Sequence, residues 1–162
     1  MSMKVLESLK DVGATYEIVD CDPSFADTAE FCSHYGYSPD ESANAILLEG
    51  KAESPIYALC VVLATTRINV NKVARKRLGT RKASFASAEV TKSLTGMEIG
   101  GVTPVGLPDN LPIWIDNLVM EAPKVIIGAG SRDAKIYLAP DNLLRLPNTH
   151  VVEGLSMPIV NK

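Results

Sequence analysis

The sequence predicts an α+β domain built on a mixed, mostly antiparallel sheet that is curved or barrel-like and surrounded by short helices. Three observations predict it. Short strand-like and helix-like stretches interleave irregularly, without the steady βαβ alternation of a doubly wound fold. One continuous apolar run, residues 56–64, is long enough to be a central strand. Two glycine clusters, GGVTPVG at residues 100–106 and GAGS at 128–131, interrupt the apolar runs of the second half and read as loops. At 162 residues the chain reads as one domain over residues 1–162. A chain of this size buries roughly 68–70% of its unfolded surface and needs no metal or disulfide to fold.

The elements follow in order. Val5, Leu6, Leu9 and Val12 recur at helical spacing, and Gly13 stops the run. Residues 15–19 alternate as a strand does. Asp27 and Glu30 have N-cap and N3 spacing for a helix that carries Phe31, Cys32 and Tyr35 on one face and stops at Gly36. Ser38, Pro39 and Glu41 form a second cap signature, leading into a strand at residues 45–48. Residues 65–69 are polar and read as a turn. Residues 70–78 read as a basic helix anchored by Val73, Ala74 and Leu78 and ended by Gly79. A short strand at 83–86 precedes a helix over 88–95, capped by Ser87 and stopped by Gly96. Strands are expected at 112–115, 125–127 and 135–138, a short helix at 140–146, and an edge strand at 149–152.

Composition narrows the function. No apolar run approaches the ~20 residues of a membrane span, and the first residues lack the apolar core of a signal peptide, so a cytoplasmic protein without membrane contact is expected. Cys21, Cys32 and Cys60 are far apart and form no CxxC, and neither His34 nor His150 has ligand-spaced neighbours, so no metal or other cofactor is expected. The net charge of −3 hides an asymmetry. Residues 67–92 hold eight basic side chains and one acidic, whereas residues 1–66 hold three basic and eleven acidic. Such a block is either the footprint of a polyanion or a solvated helix face.

The glycine clusters bear on chemistry. Neither GxSxG nor a Cys/His nucleophile signature occurs, and the 100–106 loop has neither the P-loop lysine nor the GxGxxG spacing. Glycine lets backbone approach a ligand, and its N–H groups are then donors for a developing oxyanion, one such donor being worth roughly 2.7–4 kcal/mol. The two clusters read as the lips of one pocket, or as two ordinary glycine turns.

In this order, the cap at Ser38-Pro39-Asp40-Glu41, the strand from Asn44, the basic segment from Asn69, Ser87-Ala88-Glu89-Val90, Leu94-Thr95-Gly96 running into GGVTPVG, and GAGS resemble the YbaK/prolyl-tRNA-synthetase-associated editing domain family over about residues 16–146. The resemblance implies hydrolysis of the ester between a wrong amino acid and the 3′ end of a tRNA, by a free-standing trans-editing deacylase with mischarged aminoacyl-tRNA and an aminoacyl-tRNA synthetase as partners. It implies a pocket role for Gly100, Thr103, Pro104 and Gly106 on one lip and Gly128, Gly130 and Ser131 on the other, with Gly101 contributing to catalysis.

One position departs from the family. Asn44 stands where family members usually carry a lysine, and asparagine supplies hydrogen bonds but no positive charge. Either Asn44 acts in catalysis with its charge supplied elsewhere, Arg132 being the candidate beside the second glycine loop, or the chain is a binding module with weakened hydrolysis. Asn44 also reads as a plain turn residue, and Arg132 as a surface arginine beside Asp133. Lys72, Arg75 and Lys76 are the candidate tRNA phosphate contacts. Phe25, Tyr37 and Trp114 are candidates to stack the terminal base or, equally, core aromatics.

Overall fold

A computed structural model describes residues 2–159. Helix α1 (Met3–Asp11) buries Val5 and Leu9 and ends at Gly13, whose φ of 67° suits a residue without a Cβ. Strand β1 (Glu17–Asp20) follows, two residues later than the alternation suggests. Helix α2 (Thr28–Tyr35) stops at Gly36, and the Ser38–Glu41 capping box closes a 3₁₀ turn over Pro39–Glu41. Strands β2 (Ala43–Gly50) and β3 (Ile56–Leu63) form the longest antiparallel pair.

Residues 65–69 are more than a turn: β4 (Thr66–Ile68) pairs with a late strand. The basic helix begins as a π-type turn, Val70–Ala74, where the Asn69 side chain accepts the Lys72 N–H, and tightens into α3 (Arg75–Leu78). Of its expected anchors, Ala74 and Leu78 are buried and Val73 only partly. Then come β5 (Ala83–Phe85), α4 (Ala88–Thr95) with Ser87 Oγ accepting the Val90 N–H, and β6 (Ile113–Asp116). Helix α5 (Asn117–Glu121) is too short to show a period. Strands β7 (Val125–Gly128) and β8 (Ala134–Leu138), a 3₁₀ segment over Pro140–Arg145, β9 (Thr149–Val152) and β10 (Ser156–Pro158) complete the chain.

The strands lie in a five-stranded sheet ordered β5-β2-β3-β6-β9, a three-stranded sheet ordered β1-β8-β7, and a ribbon of β10 with β4. All pairings are antiparallel except β3 with β6 and β6 with β9. β3 is the middle strand of its sheet, as its continuous apolar run requires: alternate side chains enter two different cores. Leu59 and Val61 pack with Leu47, Ile115, Ile127 and Ile136, joining the two sheets, while Ala58, Cys60 and Val62 pack under α3 and the ribbon. A parallel bridge between Ser42 and Ile126 links the sheets at one corner, so the surface curves without closing into a barrel. A third cluster covers the outer face of the small sheet, where Phe31 of α2 meets Ile126, Cys21 and Ala26.

Cys60 is a core residue, and burial pushes its thiol up to about 12. Asp116 carries more of the architecture. It is fully buried; Oδ1 accepts the Ser156 N–H at 3.2 Å and Oδ2 the Ser156 hydroxyl at 2.5 Å, which fastens β10 and with it β4. Replacement by alanine removes two bonds to a charged acceptor, each worth about 1.5–3 kcal/mol. Asp116→Ala is therefore expected to lose about 3 kcal/mol in urea unfolding; a loss under about 1 kcal/mol would refute this role.

Candidate functional site

A cavity of about 310 Å³ opens where α2, the first half of β2, the end of β5, the 99–102 loop and the β7–β8 hairpin meet. That is the lower end of the range for small-molecule sites. Its walls follow from strand parity. Ala134, Ile136 and Leu138 of β8 enter the joint core, so Lys135 and Tyr137 point to the other face, the one that α2 covers. Gly128 of β7 lies opposite Lys135 in the register and leaves its side open.

Main chain forms much of the wall. Gly128 can bear no Cβ, because one would collide with the Val102 carbonyl. A Cβ on Gly101 would stand 2.8 Å from the Ser131 backbone, and the Gly130 N–H donates to Gly101 O at 2.7 Å. The two glycine clusters are thus laced backbone to backbone. Gly100 has φ 92°, and a side chain there would strike the Arg132 guanidinium. Gly100 and Val102 both line the cavity, and among the described residues neither N–H has a hydrogen-bond acceptor.

Six polar side chains belong to the lining: Asp27, Thr28, Ser42, Asn44, Thr91 and Lys135. The Thr28 hydroxyl donates to Asn44 Oδ1 at 2.6 Å, tying the start of α2 to β2 at a point where both residues line the cavity. Ser42 Oγ lies 3.1 Å from Cys32 Sγ behind it. Lys135 is the residue that sequence reasoning missed. It is only 6% exposed; Nζ donates to Gly100 O at 2.8 Å and stands 5.7 Å from the Phe31 ring. Burial holds its pKa below the ordinary lysine value, with nearby Cys21, Asp27 and Cys32 raising it in part and Arg132 lowering it further. The signal was a lysine among alternating apolar residues, which reads as a solvated face until α2 is known to cover it.

Of the sequence-predicted residues, Asn44, Gly100 and Gly128 line the cavity. Gly101 stands behind the lining, its N–H donating to Glu98 O and its carbonyl engaged by Gly130. Thr103 is fully buried, Gly106 abuts Lys4 and Val5 of α1, and Gly130 abuts Ser2 and Val5; these three and Pro104 lie outside the lining. The Ser131 hydroxyl donates to Asp133, holding that carboxyl below its ordinary range. Arg132 does not enter the cavity. Its guanidinium donates to Asp27 at 3.2 Å, Ile99 O at 2.7 Å and Pro23 O at 2.9 Å, stapling three loops behind the rim. Asp27 accordingly starts α2 without a side-chain cap, because its carboxylate is committed to Arg132.

Lys72 and Lys76 are exposed on the basic helix, while Arg75 is turned inward to Asn71 O and Thr80 O. Trp114 is a core residue with the Arg77 guanidinium 5.2 Å above it. Phe25 stacks on His34, and Tyr37 packs on Phe31. Phe85 and Ile99, both on the cavity rim, are instead the exposed apolar groups there.

The aminoacyl-tRNA editing domain model matches residues 22–146. EbsC of Enterococcus faecalis, named as a candidate Cys-tRNA(Pro)/Cys-tRNA(Cys) deacylase, is 27% identical over 104 residues, which are 64% of this chain and 62% of EbsC. The chain therefore matches less than two thirds of EbsC. The uncharacterised protein YwhH of Bacillus subtilis is 28% identical over 127 residues, 78% of each chain. The crystal structure of hypothetical protein APE2540 superimposes with a TM-score of 0.84 at 25% identity, covering 95% of this chain and 99% of that one. A crystal structure described as a candidate trans-editing enzyme for prolyl-tRNA synthetase shares the fold, with a TM-score of 0.78 at 24% identity over 94% and 97% of the two chains. The matched segment carries the whole of the cavity lining from Ala26 to Lys135, and the chain belongs to the aminoacyl-tRNA editing domain family.

Proposed function

We propose that this protein is a trans-acting deacylase that hydrolyses mischarged aminoacyl-tRNA in the cytoplasm. The observation that carries the reading is the cavity itself, walled by the main chain of Gly100 and Val102 beside Gly128, with two backbone N–H groups uncommitted among the described residues. Its lining includes Thr28, Ser42 and Thr91 but neither histidine nor cysteine, so no hydroxyl there has an imidazole base at hand. Such a site suits direct attack by water on a positioned ester, with backbone donors holding the carbonyl oxygen. Asn44, fixed by Thr28, has its amide nitrogen left to orient the terminal ribose or the aminoacyl group.

The surface supports a tRNA acceptor end at the mouth. Residues 75–82 are basic and lead into β5, whose Phe85 is 56% exposed at the rim and offers a face to a terminal base. In this reading the exposed Lys72 and Lys76 meet backbone phosphates, and Arg75, bonded to Asn71 O and Thr80 O, shapes the end of the helix. A synthetase partner follows from the same reading. The alternative, a tRNA-binding module without hydrolysis, draws on the neutral Asn44 at a position where a cation is usual.

A panel of mischarged tRNAs decides between them: release of at least one amino acid well above the buffer rate is expected, and no release from any member refutes the deacylase. Gly100→Ala forces a Cβ onto a left-handed residue and into Arg132, at a cost of about 1–3 kcal/mol. It should lower both Tm and deacylation, and wild-type values of both would contradict the placement of the lip. Lys72→Ala/Lys76→Ala should weaken tRNA binding and flatten the slope of log K against log salt by about 2, without changing hydrolysis at saturating tRNA. An unchanged slope would remove these lysines from the interface.

A further inference from the structure

Resting on the deacylase reading, we infer that Lys135 is a catalytic residue whose ammonium donates to the ester carbonyl oxygen of the bound aminoacyl group. The geometry is particular. Lys135 reaches the cavity from β8, opposite a glycine, and its Nζ has one hydrogen-bond acceptor, Gly100 O at 2.8 Å. An ammonium has three donors. The other two have no acceptor among the described residues, and the side chain is 6% exposed, so they face either the Phe31 ring or the cavity. Among the described residues no salt bridge offsets this burial: Asp27, the nearby carboxylate, is bonded to Arg132. A buried lysine without an ion pair is costly to a fold and useful to a site.

The depth of Lys135 selects its partner. The terminal base and the tRNA phosphates remain outside with the exposed Phe85 and Ile99, whereas a group at the floor of the cavity meets the acyl moiety. In the step, a water oxygen bonds to the acyl carbon and the carbon–oxygen bond to the ribose breaks. The ribose oxygen leaves with the proton that the water gives up. Lys135 keeps its proton and donates a hydrogen bond as negative charge gathers on the carbonyl oxygen. The ammonium thus reaches from β8 the site to which a lysine at position 44 would bring it from β2.

Lys135→Met and Lys135→Gln test this on an amino acid that the wild-type protein removes. The expected result is a 10²- to 10³-fold fall in kcat on every substrate of the panel, with KM changed less than fivefold. A structural lysine would not give the second expected result. Its folded pKa lies below the unfolded one, so the charged form costs stability at neutral pH, and the cost disappears only as pH rises toward the ordinary value of 10.5. Methionine carries no such cost, and the Tm of Lys135→Met should be no lower than wild type. Asn44→Lys/Lys135→Met returns an ammonium to the cavity from β2 and should regain at least tenfold of the lost kcat. It also serves as the test should the single variants fold poorly. A kcat within threefold of wild type, a loss confined to one amino acid, or a loss that tracks a fallen Tm and is not regained would each overturn the inference. If the wild-type protein deacylates nothing, the deacylase reading fails first, whereas active wild type with active Lys135 variants removes Lys135 alone.

Discussion

The close crossing of two backbones is the constraint from which the rest of this site follows. Gly130 donates to Gly101 O at 2.7 Å, and Gly128 passes the Val102 carbonyl with no room for a Cβ. The β7–β8 hairpin is thereby pressed against the 99–102 loop. Two cations of that hairpin then act on carbonyls of the loop: Arg132 on Ile99 O and Lys135 on Gly100 O. One stays at the rim and binds three loops together; the other lies inside. A Cβ at Gly101 or Gly128 would push the hairpin and the loop apart at this crossing. The carbonyls of Ile99 and Gly100 are thus taken up by positive charge, while among the described residues the N–H groups of Gly100 and Val102 have no acceptor.

What was legible in the sequence was local. Ser38 and Ser87 cap as their spacing demands, and Gly13, Gly36, Gly79 and Gly96 end helices at positive φ, because each is decided within four residues of chain. The central strand was legible because a run buried on both faces has no polar alternate. What escaped depended on distant partners. β4 is three residues long and exists because β10, some 90 positions away, lies beside it. Asp27 has an ideal N-cap spacing but is drawn off by Arg132, 105 positions away. Lys135 sits on what looks like the polar face of a strand, and only the packing of α2 onto that face makes it internal. The same packing makes the glycine clusters a pocket rather than two turns. The sequence order of the motifs pointed to two loops that border the cavity through Gly100 and Gly128, yet three of the expected lip residues, Thr103, Gly106 and Gly130, serve the packing of α1 and the core behind the lip.

The neutral residue at position 44 takes on a different sense once Lys135 is placed. Both line one cavity of about 310 Å³. Two ammonium groups held there would repel by about 4 kcal/mol at 4 Å for an effective dielectric near 20, and each would add its own desolvation. A lysine at 44 and a lysine at 135 are therefore poor companions, and asparagine is what a charged β8 permits on β2. It keeps a hydrogen-bonding group at the wall, held by Thr28, while the positive charge comes from the opposite strand. In such a site the requirement falls on the ammonium and its depth, not on the strand that delivers it. A neutral residue at one wall of such a cavity argues for inactivity only after every strand lining it has been searched for a cation.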